Sequence, residues 1–391
     1  MSSTCRATAT QICAAIRAGF PQLQAAMSST DHERRLPRQV LDLLRATGAY
    51  RMLTPAALQG TPVDLQGCLD VLETVSEANS AAGWNLATST WSALHALRLP
   101  RQGAERLYAS GPDMLFAGGF AGNGTASATD GGYRVTGHFH FGSGCLDADW
   151  MVVGCQLPEA SGTTRDVSAP PARLLAFVPP AAVTVHDTWR VAGLRGTGSH
   201  DWSINEVFVP TSLATLTTAV APWAEPLAHL PAAVFTAVHL SAVATGMARR
   251  AIDSLVALAG HKRPTGMAGL LRERVQVQEA VARAEVLVES ARAYRAQLVS
   301  DVWATLEARA PVSVTQRARL RLAGTHAVES AVQAVDLMFH AGGTSAIEDA
   351  CALSHCFRDI HVLAQNMNVL PLFYESAGRV FLGLDSGTPL I

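Results

Sequence analysis

Polar and apolar positions change their period twice along the chain. Up to about residue 110 the apolar positions recur at helical spacing. Leu36, Val40, Leu43 and Leu44 share one face, and Gly48 followed by Pro55 punctuates a stop. An Ala-rich stretch over 65–99, with Trp84, Trp91 and Leu94 as bulky members, predicts a long helix. From about Asp113 the period falls to two. Residues 133–141 alternate as a half-buried strand should, and shorter β runs follow at 151–153, 174–178 and 203–209. Helical spacing returns after Pro222, Pro226 and Pro231. It predicts helices over 232–259, 268–306, 313–340 and 345–380, with Gly260, Pro311 and Gly342-Gly343 at the breaks. The reading is an N-terminal helical domain over 1–112, a central β domain over 113–212 and a C-terminal helical bundle over 213–391.

The last predicted helix carries one polar stripe. Arg358, His361, Gln365 and Asn368 recur at i, i+3, i+7 and i+10, while Phe357, Ile360, Leu363, Ala364 and Met367 fill most of the remaining surface. A buried polar group costs about 1–3 kcal/mol when unpaired, so the stripe needs partners. A ligand pocket supplies them, and so does a self-satisfied polar seam between bundle helices.

Composition narrows the function classes. The 391 residues allow two or three structural units around a large core, and a net charge of −2 with 16% charged and 49% hydrophobic residues argues against a nucleic-acid binder, an acidic tail or disorder. No uninterrupted apolar run reaches the ~20 residues of a membrane helix, and no signal-type core follows Met1. The expectation is a cytoplasmic protein without a membrane partner. Seven scattered cysteines without a CxxC pair read as reduced thiols. The absence of ExxH removes the usual di-iron bundle, and no GxGxxG follows a strand to bind a nicotinamide. His138 and His140 share a strand face with Arg134 and Thr136. No third ligand has a suitable spacing, so the face reads as solvated and no metal is expected.

Four segments carry a resemblance. They are Ala81-Ala82-Gly83-Trp84; Phe141-Gly142-Ser143-Gly144-Cys145-Leu146-Asp147-Ala148-Asp149-Trp150; Gly193-Leu194-Arg195-Gly196-Thr197-Gly198-Ser199; and Cys356-Phe357-Arg358-Asp359-Ile360-His361. With the α, β, α order, the chain resembles the acyl-CoA dehydrogenase fold over essentially its whole length. More narrowly, it is similar to the two-component flavin-dependent monooxygenases built on that fold, the group D hydroxylases. The resemblance implies an α+β architecture of N-terminal helices, a central β-barrel or sandwich and a C-terminal four-helix bundle. It also implies a flavin near Phe141, Gly142, Ser143 and Gly144. There the glycines would let the backbone approach the ring, and the Ser143 hydroxyl would serve near N5. Arg195, Thr197 and Ser199 would line the flavin from a second loop, and Arg263 would meet its outer half. Gly342 and Gly343 would approach a pyrophosphate. Trp84, Trp91, His95 and Gln365 would contact substrate.

The same resemblance separates oxygenation from dehydrogenation. Dehydrogenases of the parent fold use a carboxylate base, and the two positions where it would fall hold Asn366-Met367-Asn368 and Phe235-Thr236. No carboxylate stands at either. His361 instead occupies the place where the monooxygenases keep a histidine, whose imidazole titrates near neutrality and would abstract a phenolic proton or stabilise a flavin hydroperoxide. The segment meeting the adenine half reads His261-Lys262-Arg263-Pro264-Thr265-Gly266, which leaves FMN and FAD both open. Many aromatic hydroxylases of the family carry a second histidine near Trp91-Ser92, whereas here His95 lies one turn further on. Oxidation of nitrogen, sulfur or an activated carbon therefore stands beside phenol hydroxylation. The implied reaction uses reduced FMN or FAD from a separate reductase and O2, through a C4a-hydroperoxyflavin, to oxygenate a small organic substrate. A homotetramer is implied, with helices 232–259 and 313–340 offering apolar surface. The rival readings are a desaturase or oxidase with an unusual base, and a flavin-free binding protein on the same fold.

Overall fold

The computed structural model describes residues 3–157, 173–266 and 268–391, and the first two residues of the N-terminal reading lie outside these. Seven helices come first: α1 (Ser3–Ala18), α2 (Phe20–Ala25), α3 (Met27–Glu33), α4 (Arg38–Thr47), α5 (Leu65–Ala78), α6 (Ser80–Ala96) and α7 (Arg101–Leu107). The stretch expected as one helix over 65–99 is two, and Asn79 is the reason. Its backbone is extended, its N–H closes α5 on the Val75 carbonyl, and its side chain caps α6 by accepting from the Ala82 N–H at 3.0 Å. Apolar periodicity runs unbroken through such a break, so periodicity alone does not reveal it.

Among the described residues seven strands follow: β1 (Phe116–Thr129), β2 (Gly132–Gly142), β3 (Trp150–Gln156), β4 (Arg173–Val178), β5 (Thr184–His186), β6 (His200–Pro210) and β7 (Ala214–Leu216). They form one sheet in the order β5-β6-β2-β1-β3-β4-β7. The β1–β2 hairpin is antiparallel, whereas β1 and β3 run parallel. Phe139 on β2 and Trp202 on β6 stack at 4.4 Å, both wholly buried. On this pair of strands the ladder breaks between Phe139 and Gly142, where the chain leaves the sheet for the site.

The C-terminal part holds α8 (Ala232–Ala259), α9 (Val275–Glu307), α10 (Val314–Gly342), α11 (Ala352–Leu363) and α12 (Leu372–Phe381). The helix expected over 268–306 starts only at Val275, after a short turn at Leu271–Glu273. The helix expected over 345–380 is a five-residue turn, Gly343–Ile347, followed by α11 and α12. The Asn366 side chain accepts from the Asn368 N–H at 3.0 Å, and Pro371 follows. Both devices compete with helix continuation. Gln365 and Asn368 therefore lie beyond the end of α11, and only Arg358 and His361 of the polar stripe are helical. α8 is long and apolar enough to pass for a membrane span, yet 83% of its most apolar stretch is buried inside this chain. Its apolar surface is consumed within the chain, which corrects its assignment as free surface for a partner.

Candidate active site

The four motif segments meet through side-chain hydrogen bonds. The Trp84 indole Nε1 donates to Ser143 Oγ at 2.9 Å. Ser143 Oγ and Ser199 Oγ are 2.7 Å apart, Ser199 Oγ and Thr197 Oγ1 2.7 Å, and Thr197 Oγ1 donates to the Leu194 carbonyl at 2.8 Å. A carbonyl only accepts, so the direction is set from that end: Thr197 to Leu194, Ser199 to Thr197, Ser143 to Ser199. All three hydroxyls are buried, and the chain joins α6 to both loops leaving the sheet. Two bulky residues with positive φ flank it, Phe141 at 61° and Leu194 at 51°. Such backbone costs about 1–2 kcal/mol per residue and gathers at functional sites.

Asp359, which sits inside the fourth motif but was not expected to act in the site, locks α11 to this cluster. Its carboxylate accepts from the Leu194 N–H at 2.5 Å and from the Ser80 hydroxyl at the start of α6. Gly193 lies so close that a Cβ there would come within 2.2 Å of the Arg358 carbonyl. Burial pushes the Asp359 carboxyl up, against the opposing pull of the Ser80 and Leu194 bonds. The folded chain therefore holds a proton where the unfolded chain has released it. Stability falls as pH rises from the ordinary carboxylate value of about 3.9 through the raised folded pKa, and the loss persists above it. Asp359→Asn keeps an acceptor for Leu194 and a partner for Ser80. Its urea stability is expected to gain on the parent as pH climbs through that window. Asp359→Leu leaves both donors unpaired and is expected to lose about 1–3 kcal/mol for each. A parent-to-Asn difference that does not vary with pH contradicts this reading.

α6 buries every position except Trp84, Thr88 and Trp91. These recur at i, i+4 and i+7, so one aromatic stripe faces outward from an otherwise enclosed helix and begins at the Ser143 contact. His95 continues that face, its ring edge-on to Trp91 at 5.0 Å, but it is buried. Burial, reinforced by Arg98, pushes its pKa down to about 3, so His95 is a neutral imidazole at physiological pH. Three of the four expected substrate contacts thus share one face. Gln365 does not join them; it is exposed, past the end of α11.

The remaining candidates divide. Phe141 is 63% exposed and stands edge-on to Trp189 at 6.2 Å. Gly142 is needed for a different reason than close approach to a ring, because a Cβ there would come within 2.6 Å of the Trp202 indole. Arg195 opens the short turn Arg195–Thr197, and its buried Nε has no hydrogen-bond partner among the described residues. Asn85, which the sequence did not single out, likewise buries an Oδ1 without a partner, next in sequence to Trp84. Gly342 closes α10 and Gly343 follows it, and neither takes part in the hydroxyl chain; Lys262, beside the exposed Arg263, donates to the Gly342 carbonyl at 2.6 Å. His361 is also outside the chain of hydroxyls. It faces α10, with Nε2 3.0 Å from Asp336 Oδ1 and its ring edge-on to Phe357 at 4.6 Å. Asp336 lies on the preceding helix, 25 residues back, where no local pattern could point to it.

Comparison with known proteins identifies the family and the fold. Residues 238–369 match the family described as acyl-CoA dehydrogenase, C-terminal domain. Indole-3-acetate monooxygenase of Pseudomonas putida is 30% identical over 360 residues, covering 92% of this chain and 90% of that protein. The oxygenase subunit HsaA of a flavin-dependent monooxygenase of Rhodococcus jostii is 27% identical over 351 residues, covering 88% and 90%. The crystal structure of 3-HSA hydroxylase from Rhodococcus sp. RHA1 superposes with a TM-score of 0.90 at 25% identity, covering 97% of this chain and 99% of that one. The expected architecture and enzyme class both hold. The chain belongs to the two-component flavin-dependent monooxygenases built on the acyl-CoA dehydrogenase fold.

Proposed function

We propose that the chain takes reduced FMN or FAD from a separate flavin reductase and, with O2, oxygenates a small aromatic or heteroatom-containing molecule. The observation that carries this is the Trp84–Thr88–Trp91 stripe, the only open face of α6, tied through Trp84 to the Ser143–Ser199–Thr197 hydroxyls. Planar aromatic walls suit a flat substrate. The relatives named above are described as acting on indole-3-acetate or as flavin-dependent oxygenases, which favours an aromatic ring.

The residues fit a reduced flavin. When bound, that group supplies the electrons that activate dioxygen for insertion. Ser143 Oγ accepts from Trp84 and donates to Ser199, so one lone pair is left to accept from an N–H. Reduced flavin carries such an N–H at N5, and oxidised flavin does not. The unpartnered Arg195 Nε and the guanidinium's positive charge suit the oxygen-bearing, anionic edge of a reduced ring. His361 has the geometry of an acid–base group. Asp336 is placed to accept from Nε2, which orients the ring and leaves Nδ1 for proton exchange with a ligand.

Dehydrogenation finds no base in the equivalent places. Thr236 accepts from Arg321 at 3.2 Å, and Met367 is 62% exposed. The test is reductase- and NADH-dependent oxygen uptake on a panel of phenols, indoles, amines and thioethers, with products identified. A mono-oxygenated product formed only while reduced flavin is supplied is expected. A desaturated product, or uptake that continues without reduced flavin, contradicts the proposal.

The assembly proposed is a homotetramer. Exposed Leu372, Tyr374, Phe381 and Leu382 on and after α12, with Val286 and Tyr294 on α9, offer apolar surface in place of α8. Light scattering is expected to give four chains at micromolar concentration, and a monomer there contradicts it.

A further inference from the structure

The outer face of the sheet carries a constellation that the strand sequence alone conceals. His138 and His140 are two residues apart on β2 and point to the same side. The neighbouring strand β6 adds Asp201, which spacing along β2 could not reveal. Asp201 Oδ2 lies 3.0 Å from His140 Nδ1 and 3.8 Å from His138 Nε2, and the three donor atoms all fall within 4.8 Å of one another. Bonds of about 2.0–2.2 Å to a tetrahedral ion place its donors roughly 3.3–3.6 Å apart. These separations bracket that value without a change of backbone.

Four further observations support a ligand set over a solvated face. The donors sit on two paired strands of the sheet rather than on loops. His186 on β5 is paired in register with Asp201, its Nε2 is fixed by Ser203 Oγ at 2.9 Å, and its ring lies 5.4 Å from that of His138. Among the described residues no Arg or Lys is ion-paired with Asp201, so its carboxylate has only imidazoles for charge partners. The site also falls where the β2–β6 ladder breaks, between Phe139 and Gly142.

We propose that His138, His140 and Asp201 form a three-ligand site for a divalent transition-metal ion of the Zn2+, Ni2+ and Cu2+ class, with water in the fourth position. Two imidazoles and one carboxylate suit these borderline ions and not Ca2+ or Mg2+, which take all-oxygen sets. The ion would replace the His140–Asp201 hydrogen bond and cross-link β2 to β6 across the ladder break, two residues before β2 ends at Gly142.

The test uses the full, tag-free chain after treatment with a chelator, titrated calorimetrically with ZnCl2 and, separately, MgCl2. One Zn2+ per chain, no Mg2+ uptake, and a melting temperature that rises with Zn2+ are expected. Co2+ as a spectroscopic probe should give visible bands. His140→Ala and Asp201→Asn should each weaken Zn2+ binding at least about tenfold and abolish the bands, a scale that even outer-shell changes reach. Should His140→Ala fail to fold, His138→Gln on the half-exposed partner provides the same readout. No stoichiometric Zn2+ uptake, equal uptake of Mg2+, or Zn2+ binding unaffected by these substitutions overturns the proposal.

Discussion

His361→Ala is expected to fold normally and to lose almost all product. The ring is 42% exposed and its Asp336 partner 37%, and exposed pairs of this kind contribute about 0–1 kcal/mol. The melting temperature should therefore barely move. The chemistry should move far, because a positioned acid–base group contributes ~10²–10⁴-fold. Hydrogen peroxide should account for the oxygen still consumed, since reduced flavin reacts with O2 whether or not the substrate is attacked. Asp336→Asn, which keeps a partner at Nε2 without the charge, should fall between parent and His361→Ala. Product, peroxide and melting temperature measured on one preparation separate the readings. Full product with a lowered melting temperature would make His361 a packing residue.

The largest stability effect is expected far from the aromatic stripe. Glu73 on α5 receives Arg295 Nη2 at 2.6 Å and Arg292 Nε at 2.5 Å, both from α9, while Arg295 also reaches Ser241 and Thr245 on α8. Arg295 is 2% exposed. A crevice between α1, α5 and α9 opens here, lined by Arg17, Asp70, Glu73, Glu77, Glu289 and Arg292, none of which belongs to the hydroxyl chain. Glu73→Ala would strand a buried guanidinium, and removing one partner of a buried pair costs about 3–5 kcal/mol. Urea unfolding should show that loss at neutral pH. Burial by itself would raise the Glu73 carboxyl, but Arg295 and Arg292 outweigh it and hold it below the usual range. The stabilisation is therefore present above the ordinary carboxylate value of about 4.3, and it is lost as pH falls through the lowered folded pKa. The gap between parent and Glu73→Ala should close in acid. A gap that widens there would contradict the assignment.

Much of this architecture was legible because burial enforces period. The alternation over 133–141 is β2, and the apolar repeat over 232–259 is α8, matching Ala232–Ala259. Breaks inside apolar stretches were not legible, since Asn79 and the Asn366–Pro371 corner act through capping and backbone geometry that leave hydrophobic spacing intact. The short strands β5 and β7 are three residues each, too brief for a period to show. Within the site, Trp84, Ser143, Thr197 and Ser199 were named from sequence, and the fold joins them. Asp359, Asp336 and Asp201 were not named as site residues. Each acts on a group contributed by a different element, a relation set by tertiary packing. The stripe through Gln365 and Asn368 failed for the complementary reason, because it assumed a helix that Pro371 and Asn366 end early.

The central claim is that the Ser143 hydroxyl, at the head of a one-way hydrogen-bond chain, is an acceptor reserved for the N–H of a reduced flavin. It is tested most directly by anaerobic titration of the parent and Ser143→Ala with reduced and oxidised FMN and FAD. Reduced flavin should bind the parent more tightly than oxidised. Ser143→Ala should lose about fivefold for the reduced form, the equivalent of one hydrogen bond at ~1 kcal/mol, and little for the oxidised. Equal affinity of the parent for both redox states, or a reduced-flavin affinity that Ser143→Ala leaves unchanged, would contradict it.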